Sequence, residues 1–145
     1  MVAYADTSFL FSLYAQDANT ARAAAAAENG GVTFLLTDFQ RYELRNALRL
    51  SVFRGHLPGL TCRRLLQQVA DDLDQGAFLA VPLVWGQVFA EAESLSAGHT
   101  GVLGTRAFDI LHVAAAVTLG AKAFYTFDAR QAALAKKAGL KVRPR

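Results

Sequence analysis

The sequence has one cysteine, three prolines, one methionine and one tryptophan among 145 residues. The lone Cys62 closes no internal disulfide and cannot by itself hold zinc, so neither staple is expected. No long hydrophobic run is present: the longest, Ala77–Trp85, spans nine residues with Pro82 inside it. That is well short of the ~20 residues a membrane-crossing helix needs. Charged residues make up only 19% and hydrophobic ones 53%, a balance that excludes disorder. The opening Met1-Val2-Ala3-Tyr4-Ala5-Asp6 lacks a basic region and places an acid where a signal peptide is apolar. A cytoplasmic chain with no membrane contact is expected. Its length suits a single domain, residues 1–145, that buries enough surface to hold a core unaided.

Acids are also scarce. Fifteen Lys and Arg stand against 12 Asp and Glu, a net charge of +3, and arginine outnumbers lysine eleven to four. The planar arginine fork fits phosphate bidentately, which suits a nucleic-acid partner. A GC-rich coding sequence accounts for the same excess equally well.

What is present alternates. Short apolar runs at Val2–Ala5, Val32–Leu36, Phe78–Val81, Ala123–Thr126 and Leu140–Val142 read as strands. Between them lie helical patterns: Ser8–Ala15 capped by Thr7 or Ser8, Ala18–Asn29 ended by Gly30-Gly31, and a long helix from Thr37 or Asp38 to about Arg54. Leu60–Asp74, Val84–Ser96, Ala107–Leu119 and Ala129–Ala138 follow, with a loop expected at Gly98-His99-Thr100-Gly101. Strands apolar on both faces and joined by helices predict a three-layer α/β/α sandwich with a mostly parallel sheet of about five strands. Ligands of such sheets bind beyond the carboxyl ends of the strands.

Four acids fall there. Asp6 follows the first strand, Glu43 lies early in the helix after the second, Asp109 opens the apolar helix 107–119, and Asp128 follows the fourth strand. Carboxylates beside core sequence cost free energy unless paired, hydrogen-bonded or bound to a cation. Arg106 is the one nearby cation, too few for four acids, and a hard ion such as Mg²⁺ or Mn²⁺ suits an all-oxygen donor set. Each acid also has a plainer reading. Asp6 and Asp128 suit helix caps, Asp109 suits a first-turn acid, and Glu43 suits a surface ion pair.

The motifs around these acids resemble the PIN domain family. Tyr4-Ala5-Asp6-Thr7-Ser8 resembles its opening, Tyr42-Glu43-Leu44-Arg45-Asn46-Ala47 its second motif, and Arg106-Ala107-Phe108-Asp109-Ile110-Leu111-His112 its third and most specific. Tyr125-Thr126-Phe127-Asp128 resembles the fourth, and all four occur in the family's order. So compact a chain is most similar to VapC-type toxins of toxin–antitoxin pairs. The resemblance implies a Mg²⁺- or Mn²⁺-dependent ribonuclease, a small antitoxin protein and a homodimer. It makes Asp6, Glu43, Asp109 and Asp128 the catalytic acids. Asp6 and Asp109 are expected to be the primary metal ligands, with Asp128 and Glu43 as further or water-mediated ones. Ser8 and Thr126 match polar positions that hold waters or orient the acids. Between Leu57 and Gly104 no motif matches.

Other residues are read by position. Asn46, three after Glu43, is expected to orient it. Arg106 either holds a substrate phosphate or neutralises the acids. His112, one turn after Asp109, is expected to pack or hydrogen-bond in its helix, with acid–base work as the rival role. Arg41, Arg45 and Arg49 form a stripe read as solvated, as are Lys136, Lys137, Lys141, Arg143 and Arg145, with RNA contact the rival reading. Trp85 and Phe89 are read as core or partner interface, and Cys62 as incidental. A dehalogenase-type phosphatase needs an acid where Ser8 stands, a receiver domain needs an Asp after the third strand, and no P-loop is present. A non-catalytic RNA- or protein-binding module on the same fold is the alternative.

Overall fold

Successive strand residues face opposite sides of a sheet, and here both sides are apolar. The computed structural model describes residues 1–29 and 31–145. Its strands are β1 (Val2–Ala5), β2 (Thr33–Leu36), β3 (Phe78–Ala80), β4 (Ala123–Tyr125) and β5 (Lys141–Arg143). They form one parallel sheet in the order β3-β2-β1-β4-β5. Ala3, Ala5, Phe34, Leu36, Ala123 and Tyr125 join one core, and Tyr4, Leu35 and Phe124 join the other.

Helices cover both faces. The first core receives α1 (Thr7–Tyr14), α2 (Thr20–Glu28), α3 (Asp38–Phe53) and α4 (Gly59–Asp74), through Phe9, Ala23, Leu44, Leu48 and Val69. The second receives α5 (Trp85–Leu103), α6 (Ala107–Thr118) and α7 (Ala129–Lys137), through Val88, Val113 and Leu134. The expected three-layer sandwich is therefore present. Tyr14 donates to Asp72 at 2.7 Å and ties α1 to α4.

Two local expectations are corrected and one open choice is decided. Neither Thr7 nor Ser8 caps α1; Asp6 does, accepting from the Phe9 N–H. Thr37, not Asp38, caps α3, in a capping box with Gln40. The loop expected at Gly98–Gly101 is absent, because α5 runs unbroken to Leu103 and ends at Gly104 with φ 66°. A helix-interior glycine costs about 1 kcal/mol relative to alanine, and burying Val88 and Leu95 against the second core offsets that cost. Of the helix stop expected at Gly30-Gly31, Gly30 lies outside the described residues.

Order in the sheet reverses at the centre: β1 leads outward to β2 on one side, and β4 leads outward to β5 on the other. The carboxyl ends of β1 and β4 thus flank the switch point where such sheets bind ligands.

Candidate active site

A groove of about 740 Å³ opens at that switch point, lined by Asp6, Ser8, Glu43, Arg106, Asp109 and His112 among others. Asp128 joins Asp6, Ser8, Arg106 and Asp109 around an adjoining recess of about 510 Å³. The fold therefore brings the four acids to one edge of the sheet.

Asp6 is the most constrained. Only 5% of it is exposed. Its Oδ1 accepts from the Phe9 N–H at 2.7 Å, and its Oδ2 faces the hydroxyls of Ser8 at 2.8 Å and Thr126 at 2.9 Å. Burial pushes its pKa up, and these hydrogen bonds oppose the shift. A carboxylate has about four acceptor sites, so three donors leave capacity for one more partner.

Asp109 is half-buried in the first turn of α6. Burial raises its pKa, the neighbouring Asp128 charge raises it further, and His112 and Arg106 oppose the shift. Asp128 is exposed and caps α7, its Oδ1 accepting from the Gln131 N–H at 2.8 Å.

Glu43 is held differently. Its Oε1 accepts from the Thr7 hydroxyl at 2.9 Å and meets the Nε2 of His112. Burial raises its pKa, but the hydrogen bond and charge of His112 outweigh that and hold it below the ordinary value. His112 is buried, with Nδ1 against the Tyr4 hydroxyl at 2.8 Å and its ring stacked on Phe39 at 4.5 Å. Tyr4 is fully buried, and burial raises its pKa well above the usual phenol value.

Of the supporting residues, Ser8 and Thr126 both hold Asp6. Arg106 is exposed at the groove edge. Asn46 is exposed, and among the described residues no hydrogen bond joins it to Glu43, whose partners are Thr7 and His112. His112 packs and hydrogen-bonds as expected, and additionally reaches the groove.

Two buried amides escaped the sequence reading. Gln40 donates to the Ala5 carbonyl at 2.7 Å, tying α3 to the end of β1. Gln131 lies opposite the Thr126 hydroxyl at 2.8 Å and donates to the Asp109 carbonyl at 3.2 Å. Both were visible as capping patterns, Thr37-x-x-Gln40 and Asp128-x-x-Gln131. Among the described residues, no three acidic, histidine or cysteine side chains converge closely enough to hold a metal ion directly. The oxygen-rich recess instead fits a hard cation that keeps part of its water shell.

Comparison with curated proteins gives no match. Among solved structures the chain is similar to one in the crystal structure of FitAcB from Neisseria gonorrhoeae, at 19% identity and a TM-score of 0.60. The likeness covers 98% of this chain and 96% of that one, and it concerns the fold. The PIN domain family matches residues 3–137, from β1 to the end of α7, a span that contains all four groove acids. By that match, the chain belongs to the PIN domain family.

Proposed function

We propose that residues 1–145 act as one PIN-like domain, a Mg²⁺- or Mn²⁺-dependent endoribonuclease that is the VapC-type toxin of a type II toxin–antitoxin pair. PIN domains are generally nucleases. The observation that carries the reading is the convergence of Asp6, Glu43 and Asp109 on one groove, with Asp128 in the adjoining recess.

Asp6, Asp109 and Asp128 are the residues that would hold the metal, in part through waters. A bound divalent ion neutralises phosphoryl oxygens, lowers the pKa of a water and stabilises a leaving oxygen. The chain supplies orientation. Ser8, Thr126 and the Phe9 N–H fix the Asp6 carboxylate in one pose. Thr7 and His112 keep Glu43 ionised and aimed into the groove. Arg106 stands at the lip, where a guanidinium meets a phosphate or screens Asp109.

A small antitoxin carrying Arg or Lys into the groove would pair with the same carboxylates. A homodimer is supported by an exposed aromatic cluster. Trp85 is 41% exposed, Phe89 56% and Phe108 61%, and Phe39 joins Trp85 to Phe108 edge-to-face. Apolar surface gathered in this way marks contact sites. Among the described residues no helix is long and apolar enough to cross a membrane; a cytoplasmic setting is part of the proposal.

The test is cleavage of single-stranded RNA with Mn²⁺, with Mg²⁺ and with chelator, using the parent chain and Asp109→Asn. Cleavage is expected only with metal. The variant is expected to lose at least 10–100-fold, roughly what disturbing even an outer partner of a metal ligand costs. RNA that is bound but never cut would favour the non-catalytic module instead.

A further inference from the structure

A second groove lies against the first. It has a volume of about 770 Å³ and is lined by Arg22, Lys136, Lys141, Arg143 and Arg145, with Asp128 as its acidic side chain. Asp128 also borders the recess that holds Asp6 and Asp109, and Phe127 lines both this groove and the main one. We propose that this basic groove is a phosphodiester-backbone site, a track for the single-stranded RNA flanking the bond that is cut. The proposal rests on the ribonuclease reading and assigns where the RNA is held.

Carboxylates repel the phosphates of RNA. The catalytic groove gathers carboxylates, and a polyanion gains no affinity from them. Binding free energy for RNA comes largely from neutralising phosphates with Lys and Arg and releasing counterions. The chain carries a net charge of only +3, so the placement of its cations decides where a nucleic acid settles. Five of them, contributed by α2, α7, β5 and the residues after β5, converge on one concave surface. Charges this close are not fully screened at physiological salt, where the Debye length is about 8 Å. Their positive potentials therefore add within the groove.

Local structure holds the cations in place. Arg22 lies over the Phe127 ring, 5.0 Å from its centroid, so its guanidinium is placed on the boundary between the grooves. Arg143 donates to the Val142 carbonyl at 2.9 Å. Lys141 and Arg143 stand two apart on β5, the strand at the sheet edge, and so share a face. A strand of RNA lying across Asp128 would have one phosphate in the acidic recess and its neighbours among these cations.

Fluorescence anisotropy with labelled single-stranded RNA in chelator, over a salt series, tests this without cleavage. The variants are Lys141→Gln/Arg143→Gln on β5 and Arg22→Gln/Lys136→Gln on the two helices, so that misfolding of one pair does not decide the matter. Arg63→Gln/Arg64→Gln, exposed on α4, removes equal charge elsewhere. Each groove pair is expected to weaken binding and to make the slope of log K against log salt shallower by about 1.4, at about 0.7 per single-strand phosphate contact. The α4 pair is expected to keep the parent's slope. A parent that binds no RNA, groove variants with the parent's slope, or an α4 pair that loses as much would overturn the proposal. Cleavage is scored separately: a parent that binds through this groove but cuts nothing with Mn²⁺ sustains the track and sinks the nuclease reading. A parent that cuts, with groove variants unaltered in slope, does the reverse.

Discussion

His112 and Glu43 sit on helices packed against opposite faces of the sheet, and they meet over the end of β1. Leu44 and Leu48 anchor α3 in one core, and Val113 anchors α6 in the other. The His112–Glu43 contact joins these layers, with Thr7 beside it and Tyr4 behind it. The two helices are thus tied at the groove by an ionisable pair rather than by apolar packing alone.

Removing the imidazole leaves the buried Tyr4 hydroxyl without its partner. Stranding such a group costs about 1–3 kcal/mol. His112→Ala is therefore expected to lose that much stability in urea unfolding, and to lose RNA cleavage as Glu43 loses its aim. His112→Gln, which keeps a donor, is expected to recover part of both. An unchanged urea midpoint for His112→Ala would show that the contact bears no weight.

The same pair sets a pH dependence. Glu43 has a folded pKa below its unfolded value, so below neutrality the unfolded chain binds its proton first. Its contribution to stability is present above the ordinary carboxylate range, about pH 4.3, and is lost as pH falls through the depressed folded value. Glu43→Gln is expected to have a flatter acid limb than the parent. Unfolding free energies of both proteins between pH 3 and pH 7 give the comparison; parallel curves would remove Glu43 from the account.

Much of this was legible in the sequence, for reasons that differ by residue. The strands were readable because a buried parallel strand is apolar on both faces, as Ala3, Tyr4 and Ala5 are. Asp6, Asp109 and Asp128 were readable because each borders core sequence, and Glu43 through the likeness of its motif to the PIN family. The glycine-rich end of α5 was not readable as helix, since local propensity argues for a loop and only packing on α6 and the core overrides it. The partnership of His112 was equally hidden: Tyr4, Thr7 and Glu43 lie far from it along the chain, and no local pattern reports a contact made across the sheet.

Gln131 links the elements that carry the acids. Its side chain lies between Thr126, which holds Asp6, and the Asp109 carbonyl, while its own N–H is capped by Asp128. The single Thr126 proton faces two acceptors, Asp6 and Gln131. Gln131→Leu keeps the size and frees that proton for Asp6, but it removes the bond to the Asp109 carbonyl and with it the link from α7 to the first turn of α6. A loss of about 0.5–1.5 kcal/mol in urea unfolding is expected, the net worth of one hydrogen bond, together with weaker Mn²⁺ binding by calorimetry. Gln131→Glu is expected to weaken Mn²⁺ binding less than it weakens the fold, because it adds negative charge near the recess. Unaltered Mn²⁺ affinity in Gln131→Leu would mean that the amide braces the core alone.

The acids themselves store strain. Asp6 and Asp109 both have folded pKa values raised by burial, and Asp109 also by Asp128. A raised carboxylate pKa means that the folded state holds its proton more tightly than the unfolded chain. The resulting stability is present below the ordinary range, about pH 3.9, and is lost as pH rises through the folded value. At pH 7–8 the ionised recess is therefore a destabilising element, and a cation that binds it offsets the strain by mass action. At a concentration 100 times its Kd, a ligand adds about 2.7 kcal/mol. At about 2–4 °C per kcal/mol for a chain of this size, the melting temperature should rise by about 5–10 °C with Mg²⁺ or Mn²⁺. Asp6→Asn should respond much less. In chelator it should be at least as stable as the parent, because asparagine caps a helix as well as aspartate does and one buried charge is gone. Thermal melts of both proteins, with metal and with chelator, decide it. Equal metal responses would detach Asp6 from the cation site, and a variant much weaker in chelator would make Asp6 first of all the cap of α1.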